Sequence, residues 1–290
     1  MPADRRARRV RGAGAALALT LLAGACSGGA GRGGQAAGTT TTVAPATSTT
    51  ALPQPAARCP DTPAGAATVV RFKARDGVLL DGAMVGGGPA GVLLLHEYPA
   101  DLCGGWPFAV YLARQGLRVL AIDLRCFGLS ACPDADAARA RPFDDVAGGI
   151  AELERRGARR VVLVGASLGG TVALMAGAAL RPPVAGVVSL SGEAELGSLL
   201  GGSLRLDALK AVPRLVSPTL IVLAEQDHYV SPADGRAMLA ATRAKDKRLV
   251  VLGGDATGLH GWTMLPDPSG SGWSPAAREV AAWVGRHARG

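Results

Sequence analysis

The stretch Val161-Val162-Leu163-Val164-Gly165-Ala166-Ser167-Leu168-Gly169-Gly170 is where this 290-residue chain is best equipped for chemistry. An apolar, β-branched run leads into Gly-x-Ser-x-Gly, and the residues beyond it read as a helix. On so sharp a strand-to-helix turn the serine is strained, and side chains at the flanking glycines would collide with the backbone. The turn exposes the Ser167 hydroxyl at a helix start, whose unpaired N–H groups favour developing negative charge. A serine hydroxyl is a weak nucleophile at its own pKa, so it needs a base within hydrogen-bond reach. The histidines on offer are His96, His228, His260 and His287. The plainer alternative makes Ser167 an ordinary helix N-cap.

The elements that must hold this serine are legible in the hydrophobic pattern. Thr68–Ala74 and Val78–Val85 flank Asp76-Gly77 and read as a hairpin. Val92–Leu95, Leu117–Ile122, Val161–Val164, Val184–Leu190, Leu220–Ala224 and Leu249–Leu252 are short apolar runs of the kind covered on both faces. Helices are predicted over Pro107–Gln115, from Pro142 to Gly157, and over Leu168–Leu180, Pro232–Thr242 and Pro275–Arg286. Between Gly192 and Ser217 only one helix, near Leu204–Lys210, is expected. Strands alternating with helices imply an α/β fold: a mostly parallel central sheet, helices on both faces and a leading antiparallel hairpin.

With its elbow serine the chain resembles the α/β-hydrolase superfamily from about Thr68 to the C-terminus. Leu94-Leu95-His96-Glu97-Tyr98 stands where the family usually has His-Gly-x, and Asp123-Leu124-Arg125-Cys126-Phe127-Gly128-Leu129-Ser130 is similar to its Asp-x-Arg-Gly-x-Gly-x-Ser. Leu223-Ala224-Glu225-Gln226-Asp227 resembles the acid-bearing strand, and Gly258-Leu259-His260-Gly261 the histidine loop. The order Ser167, Asp227, His260 matches the superfamily. The resemblance implies Ser167 as nucleophile, His260 as base and Asp227 as its orienting acid, with Glu193 as the alternative acid. The backbone N–H groups of Leu168 and Tyr98 would receive the oxyanion. Glu97 and Cys126 replace family glycines and would reshape the pocket mouth.

That resemblance implies a serine hydrolase of carboxylic esters working through an acyl-enzyme. The alternatives are an exopeptidase or amidase of the same fold and a catalytically silent, ligand-binding lipoprotein. The short Gly192–Ser217 segment implies no lid and an open site. No cofactor or metal is expected, since P-loop, dinucleotide and metal-ligand patterns are absent from the sequence. The expected partner is a small-molecule or wall-associated ester, and the domain is expected to be a monomer.

The start of the chain reads as an address. Arg5, Arg6, Arg8, Arg9 and Arg11, set against Asp4, supply half of the formal charge of +8 and precede the apolar run Ala13–Ala25. The remaining charge is too mild to suggest a nucleic-acid partner, and no apolar run reaches the roughly 18 residues of a spanning helix. Leu22-Ala23-Gly24-Ala25-Cys26 resembles a bacterial lipobox, which implies a signal peptide over residues 1–25 and lipidation of Cys26. The protein would then be exported and lipid-anchored to the outer face of the cell membrane; an ordinary signal peptide would make it secreted. Residues 26–65 then form a tether poor in apolar bulk, spanning about 30 Å as a coil, before a hydrolase domain over 66–290.

Cys59, Cys103, Cys126 and Cys132 are an even set in a chain that reads as exported. In the resembled fold the third and fourth strands are neighbours. A bridge is therefore expected within Cys103, Cys126 and Cys132, favouring Cys103 with one of the other two, and Cys59 takes what remains. Free buried thiols are the alternative.

Overall fold

The computed structural model describes residues 58–59, 67–133, 141–199, 204–254 and 258–290. Strands β1 (Ala67–Lys73) and β2 (Leu79–Gly86) form the expected antiparallel hairpin, with Gly77 at φ +91° in its turn. Then follow β3 (Ala90–Leu95), helix α1 (Trp106–Ala113), β4 (Arg118–Ile122), α2 (Pro142–Arg155), β5 (Arg160–Ala166), α3 (Leu168–Ala179) and β6 (Gly186–Leu190). A small antiparallel pair, β7 (Glu195–Leu199) and β8 (Leu204–Asp207), precedes the short α4 (Ala208–Ala211). The chain closes with β9 (Thr219–Ala224), α5 (Pro232–Ala241), β10 (Lys247–Leu252) and α6 (Pro275–Arg289).

The main sheet runs β1-β2-β4-β3-β5-β6-β9-β10, and every pairing from β4 to β10 is parallel. Side chains alternate across a strand, so the sheet has two apolar faces. On one, Leu93, Leu95, Leu163 and Val187 pack with Val146, Leu153, Val172 and Met238 of α2, α3 and α5. On the other, Val92, Leu94, Val162 and Val164 meet Trp106, Leu112, Val280 and Trp283 of α1 and α6. Each such burial contributes about 1.5–3 kcal/mol, which gives the sheet's carboxyl-end loops a stiff base.

One element differs from expectation. The segment read as a helix near Leu204–Lys210 begins as strand β8, and the helix starts only at Ala208. Leu206 is buried opposite Leu196 while Arg205 is exposed, a period of two rather than 3.6. The Asp207 carboxylate accepts the Lys210 N–H at 2.7 Å and caps the short helix from outside.

The cysteine pairing also differs. The bridges are Cys59–Cys103 and Cys126–Cys132, with Cα–Cα separations of 5.1 and 4.3 Å, and Cys103 joins neither rim partner. The reason lies in the loop after β4. Cys126 has φ +67°, its N–H donates to the Ala131 carbonyl at 3.2 Å, and the loop doubles back to bring Cys132 alongside. Cys103 is left to Cys59, which Arg58 delivers: its guanidinium reaches Asp81 and Asp123 at 2.7 Å and Asp101 at 3.4 Å. Cys26 and the segments expected as a signal peptide (1–25) and a tether (26–65) lie outside the described residues, apart from Arg58 and Cys59.

Candidate active site

The loops leaving the carboxyl ends of β3, β4, β5, β6, β9 and β10 meet at one end of the sheet, and they carry the candidate residues. Ser167 directly follows β5 with φ +49° and ψ −117°, a conformation costing about 1–3 kcal/mol for a residue with a side chain. Its N–H donates to the Leu190 carbonyl at 2.8 Å and its carbonyl accepts from Thr171 at 3.0 Å, which locks the turn between sheet and helix. A Cβ at Gly165 would stand 2.0 Å from the Gly169 carbonyl oxygen, and one at Gly169 would stand 2.2 Å from that of Leu95. Both flanking glycines are thus steric requirements of the turn. The Ser167 side chain makes no capping hydrogen bond, so its hydroxyl is not spent as an N-cap.

Asp227 lies just beyond β9, its side chain fully buried, and both its oxygens are 3.0 Å from Nδ1 of His260. Burial pushes the Asp227 carboxyl up, but hydrogen bonds from His260, the Tyr229 N–H and the Ser191 hydroxyl outweigh it and hold the group below its ordinary value. The carboxylate is therefore ionised at neutral pH and fixes the proton on Nδ1, which leaves the Nε2 lone pair as the available base.

The His260 loop is itself tied down. The His260 N–H donates to Thr263 Oγ1 at 2.9 Å, and the Gly261 N–H to Ser191 Oγ at 3.0 Å. Gly261, at φ +53°, packs so closely that a Cβ there would lie 3.2 Å from that of Ala166, the residue before Ser167. The base loop and the serine turn therefore abut.

Glu193 stays near enough to feel the charges of both His260 and Asp227, and burial raises its carboxyl. Its backbone is fastened to the Thr171 hydroxyl, and the His260 Nδ1 contacts go to Asp227. Glu97 turns its carboxylate onto the base loop and accepts the Trp262 N–H at 3.4 Å, with its pKa raised by burial. The glycine replacement after His96 therefore spans from the oxyanion-side loop to the histidine loop.

Leu168 is the first residue of α3, so its N–H has no intrahelical acceptor. Tyr98 sits in the loop after β3, its ring 6.1 Å from that of Phe127. His96 is buried and holds this loop. Its Nε2 accepts the Leu124 N–H at 3.1 Å, so the proton resides on Nδ1, 2.8 Å from the Glu97 carbonyl. Burial lowers its pKa and keeps it neutral. Of the other histidines, His228 is exposed and His287 contacts Asp246 at 3.1 Å, at the far end of the sheet.

Three contributors had no role assigned from the sequence. Buried Asp123 accepts the N–H groups of Leu102 and Leu129 and the Arg58 guanidinium, joining the loops after β3 and β4 to the segment before the domain. Ser191 orients the base loop, and the exposed Tyr229 ring lies 4.7 Å from that of His260. Asp123 was visible as the first residue of the Asp-x-Arg motif and Ser191 as a Ser-Gly turn after an apolar strand, while Tyr229 had no local signal. Among the described residues no cluster of His, Cys, Asp and Glu is arranged to hold a metal ion.

Residues 92–287 match the model of the alpha/beta hydrolase family. No curated protein sequence matches the chain. Its structure is similar to an esterase of Pyrococcus furiosus, with 18% identity over 77% of this chain and 93% of that one and a TM-score of 0.62. A monoacylglycerol lipase of Paleococcus ferrophilus gives 18% identity over 72% and 99% of the two chains and a TM-score of 0.57. A membrane phospholipase A described as a bacterial virulence factor gives 17% over 77% and 87%, with a TM-score of 0.62. Identities this low speak for shared fold alone. The family match covers most of the chain, the sheet order and serine turn agree with it, and the chain belongs to the α/β-hydrolase family.

Proposed function

We propose that the protein is an exported serine hydrolase that cleaves carboxylic esters through an acyl-enzyme. The observation that carries this reading is a fully buried Asp227 side chain with both oxygens 3.0 Å from His260 Nδ1, the histidine lying on a loop abutting the strained turn that presents Ser167. In the reaction, Ser167 Oγ attacks the ester carbonyl while His260 Nε2 takes its proton. The oxyanion forms between the Leu168 and Tyr98 N–H groups. Collapse breaks the carbon–oxygen bond to the alcohol, which leaves with the proton from His260. Water, deprotonated by His260, then releases the acid and restores the serine. The esterase and lipase activities of the structural relatives favour an ester over an amide.

Labelling of the protein by a fluorophosphonate probe, lost in Ser167→Ala, together with turnover of p-nitrophenyl esters of graded chain length, tests the reading. A protein that neither labels nor turns over any ester would be a silent binder. Export and anchoring rest on the arginine-led apolar run and the lipobox-like Leu22–Cys26. Fatty-acid labelling of the wild type that disappears in Cys26→Ala is the expected result.

A further inference from the structure

The opposite end of the sheet, where the parallel strands begin, carries a feature with no part in this chemistry. Arg159 and Arg160, at the start of β5, line two adjoining clefts of about 430 and 320 Å³. The first takes in Arg181 and Glu154 and runs along the flank of α2, over an apolar floor that includes Ile150 and Val184, as far as Arg75 at the helix's other end. The second extends to Arg289.

These arginines are held in an unusual way. Arg118 Nε donates to the Gly88 carbonyl and Arg160 Nε to that of His287, both at 3.0 Å. Arg181 reaches the Leu180 carbonyl and Arg289 that of Gln115, both at 2.6 Å. A carbonyl fixes a guanidinium but leaves its charge uncompensated. Arg75, Arg155, Arg156 and Arg248 do have carboxylate partners. Among the described residues Arg118, Arg159, Arg160, Arg181 and Arg289 form no ion pair. Offsetting a helix macrodipole accounts for basic residues in the last turn of α6. It does not account for Arg118 and Arg160, which open strands.

We propose that this end of the sheet is an electrostatic docking face for an anionic phospholipid bilayer. The charges run along the sheet end from β4 through β5 to α6, so they suit an extended anionic surface better than one discrete anion. Guanidinium forks match phosphate oxygens, and each cation near an anionic leaflet adds to the attraction. Ser167 lies at the other end of β5, about 20 Å away at 3.3 Å per strand residue. A domain seated on this face therefore opens its site away from the membrane, toward esters arriving from outside.

Co-sedimentation of residues 26–290 carrying Cys26→Ala, which lack both a lipid and the arginine-led apolar run, with phosphatidylcholine vesicles or vesicles containing about 30 mol% phosphatidylglycerol tests the proposal. Binding to the anionic vesicles alone is expected, falling at least tenfold between about 0.05 and 0.5 M salt. The pair Arg159→Glu and Arg160→Glu should weaken it at least tenfold while turnover of a soluble ester is unchanged. Should that pair fail to fold, Arg159→Gln with Arg181→Gln, checked by circular dichroism, should weaken it severalfold. Equal binding to both vesicle types, no binding, or binding indifferent to these substitutions overturns the proposal. So does displacement by soluble polyphosphate at phosphate concentrations far below those of the lipid, which would mark a dissolved polyanion as the partner.

Discussion

Ser167 is held by constraints rather than by favourable contacts. Its positive φ, the two glycines that no side chain can replace and the absence of a capping bond all leave the hydroxyl unengaged by the fold. Ser167→Ala should therefore remove esterase activity by several orders of magnitude and leave the circular dichroism spectrum unchanged. The two candidate acids near His260, a fully buried Asp227 side chain and a half-buried Glu193, divide by geometry. Asp227 touches Nδ1, and Glu193 feels only the field. Asp227→Asn should depress kcat severely, because an amide cannot fix the same tautomer, while Glu193→Gln should cost less than about tenfold. The opposite ranking in steady-state kinetics would move the acid to Glu193.

The working unit at the level of elements is the set of loops beyond the strands. Asp123 binds the loops after β3 and β4, each disulfide closes against one of these loops, and Arg58 supplies the counter-charge. Arg58→Ala leaves two buried carboxylates without their cation, a class of change that costs about 3–5 kcal/mol. Thermal unfolding should show a clear fall in Tm, with Arg58→Lys recovering part of it. Cys59→Ser with Cys103→Ser should lower Tm as well, by the equivalent of about 2–4 kcal/mol. A domain trimmed to begin at residue 66 should behave like both variants combined. The insert between β6 and β9 contributes the pair β7–β8, the short α4 and a 3₁₀ turn at Val212–Arg214 among its described residues. Such an insert should give no interfacial activation: the rate should rise smoothly across the solubility limit of a medium-chain ester, and a jump on emulsified substrate would show a lid.

Among the described residues, the buried carboxylates Asp81, Asp123, Asp145 and Asp227 lie at the Ser167 end of the sheet, and carbonyl-held arginines lie at the other. The carboxyls contribute to pH-dependent stability with both signs: burial holds Asp81, Asp145, Glu97 and Glu193 above their ordinary values, and others are held below theirs. Asp76 is held below its ordinary value, chiefly by hydrogen bonds from Arg125 that exceed the opposing effect of burial. Asp227 is likewise held low. A carboxyl with a depressed folded-state pKa stabilises fully above its unfolded value of about 3.9, and that contribution is lost as pH falls through the folded value. Asp76→Asn should lower stability at pH 7 and shrink its difference from wild type below about pH 3, as followed by urea unfolding across the acid range.

The sequence alone determined what depends on near neighbours along the chain. The Gly165–Gly169 turn, the apolar runs of β3 to β6 and the hairpin at Asp76-Gly77 were legible, because local sterics and side-chain period set them, whereas the roles of Ser167, Asp227 and His260 came only from the resemblance to the α/β-hydrolase superfamily. Leu204–Asp207 was misread because its strand character exists only when Leu206 pairs with Leu196. Disulfide partners escaped too: four cysteines carry no record of distance, and a left-handed Cys126 together with the Arg58–Asp123 ion pair chose among them. The reach of Glu97 to the Trp262 N–H, the bond from Gly261 to Ser191 and the contact of Asp227 with His260 join residues tens to more than a hundred positions apart. Only the register of the parallel sheet brings their loops to one end, and register is a property of paired strands that no single segment contains.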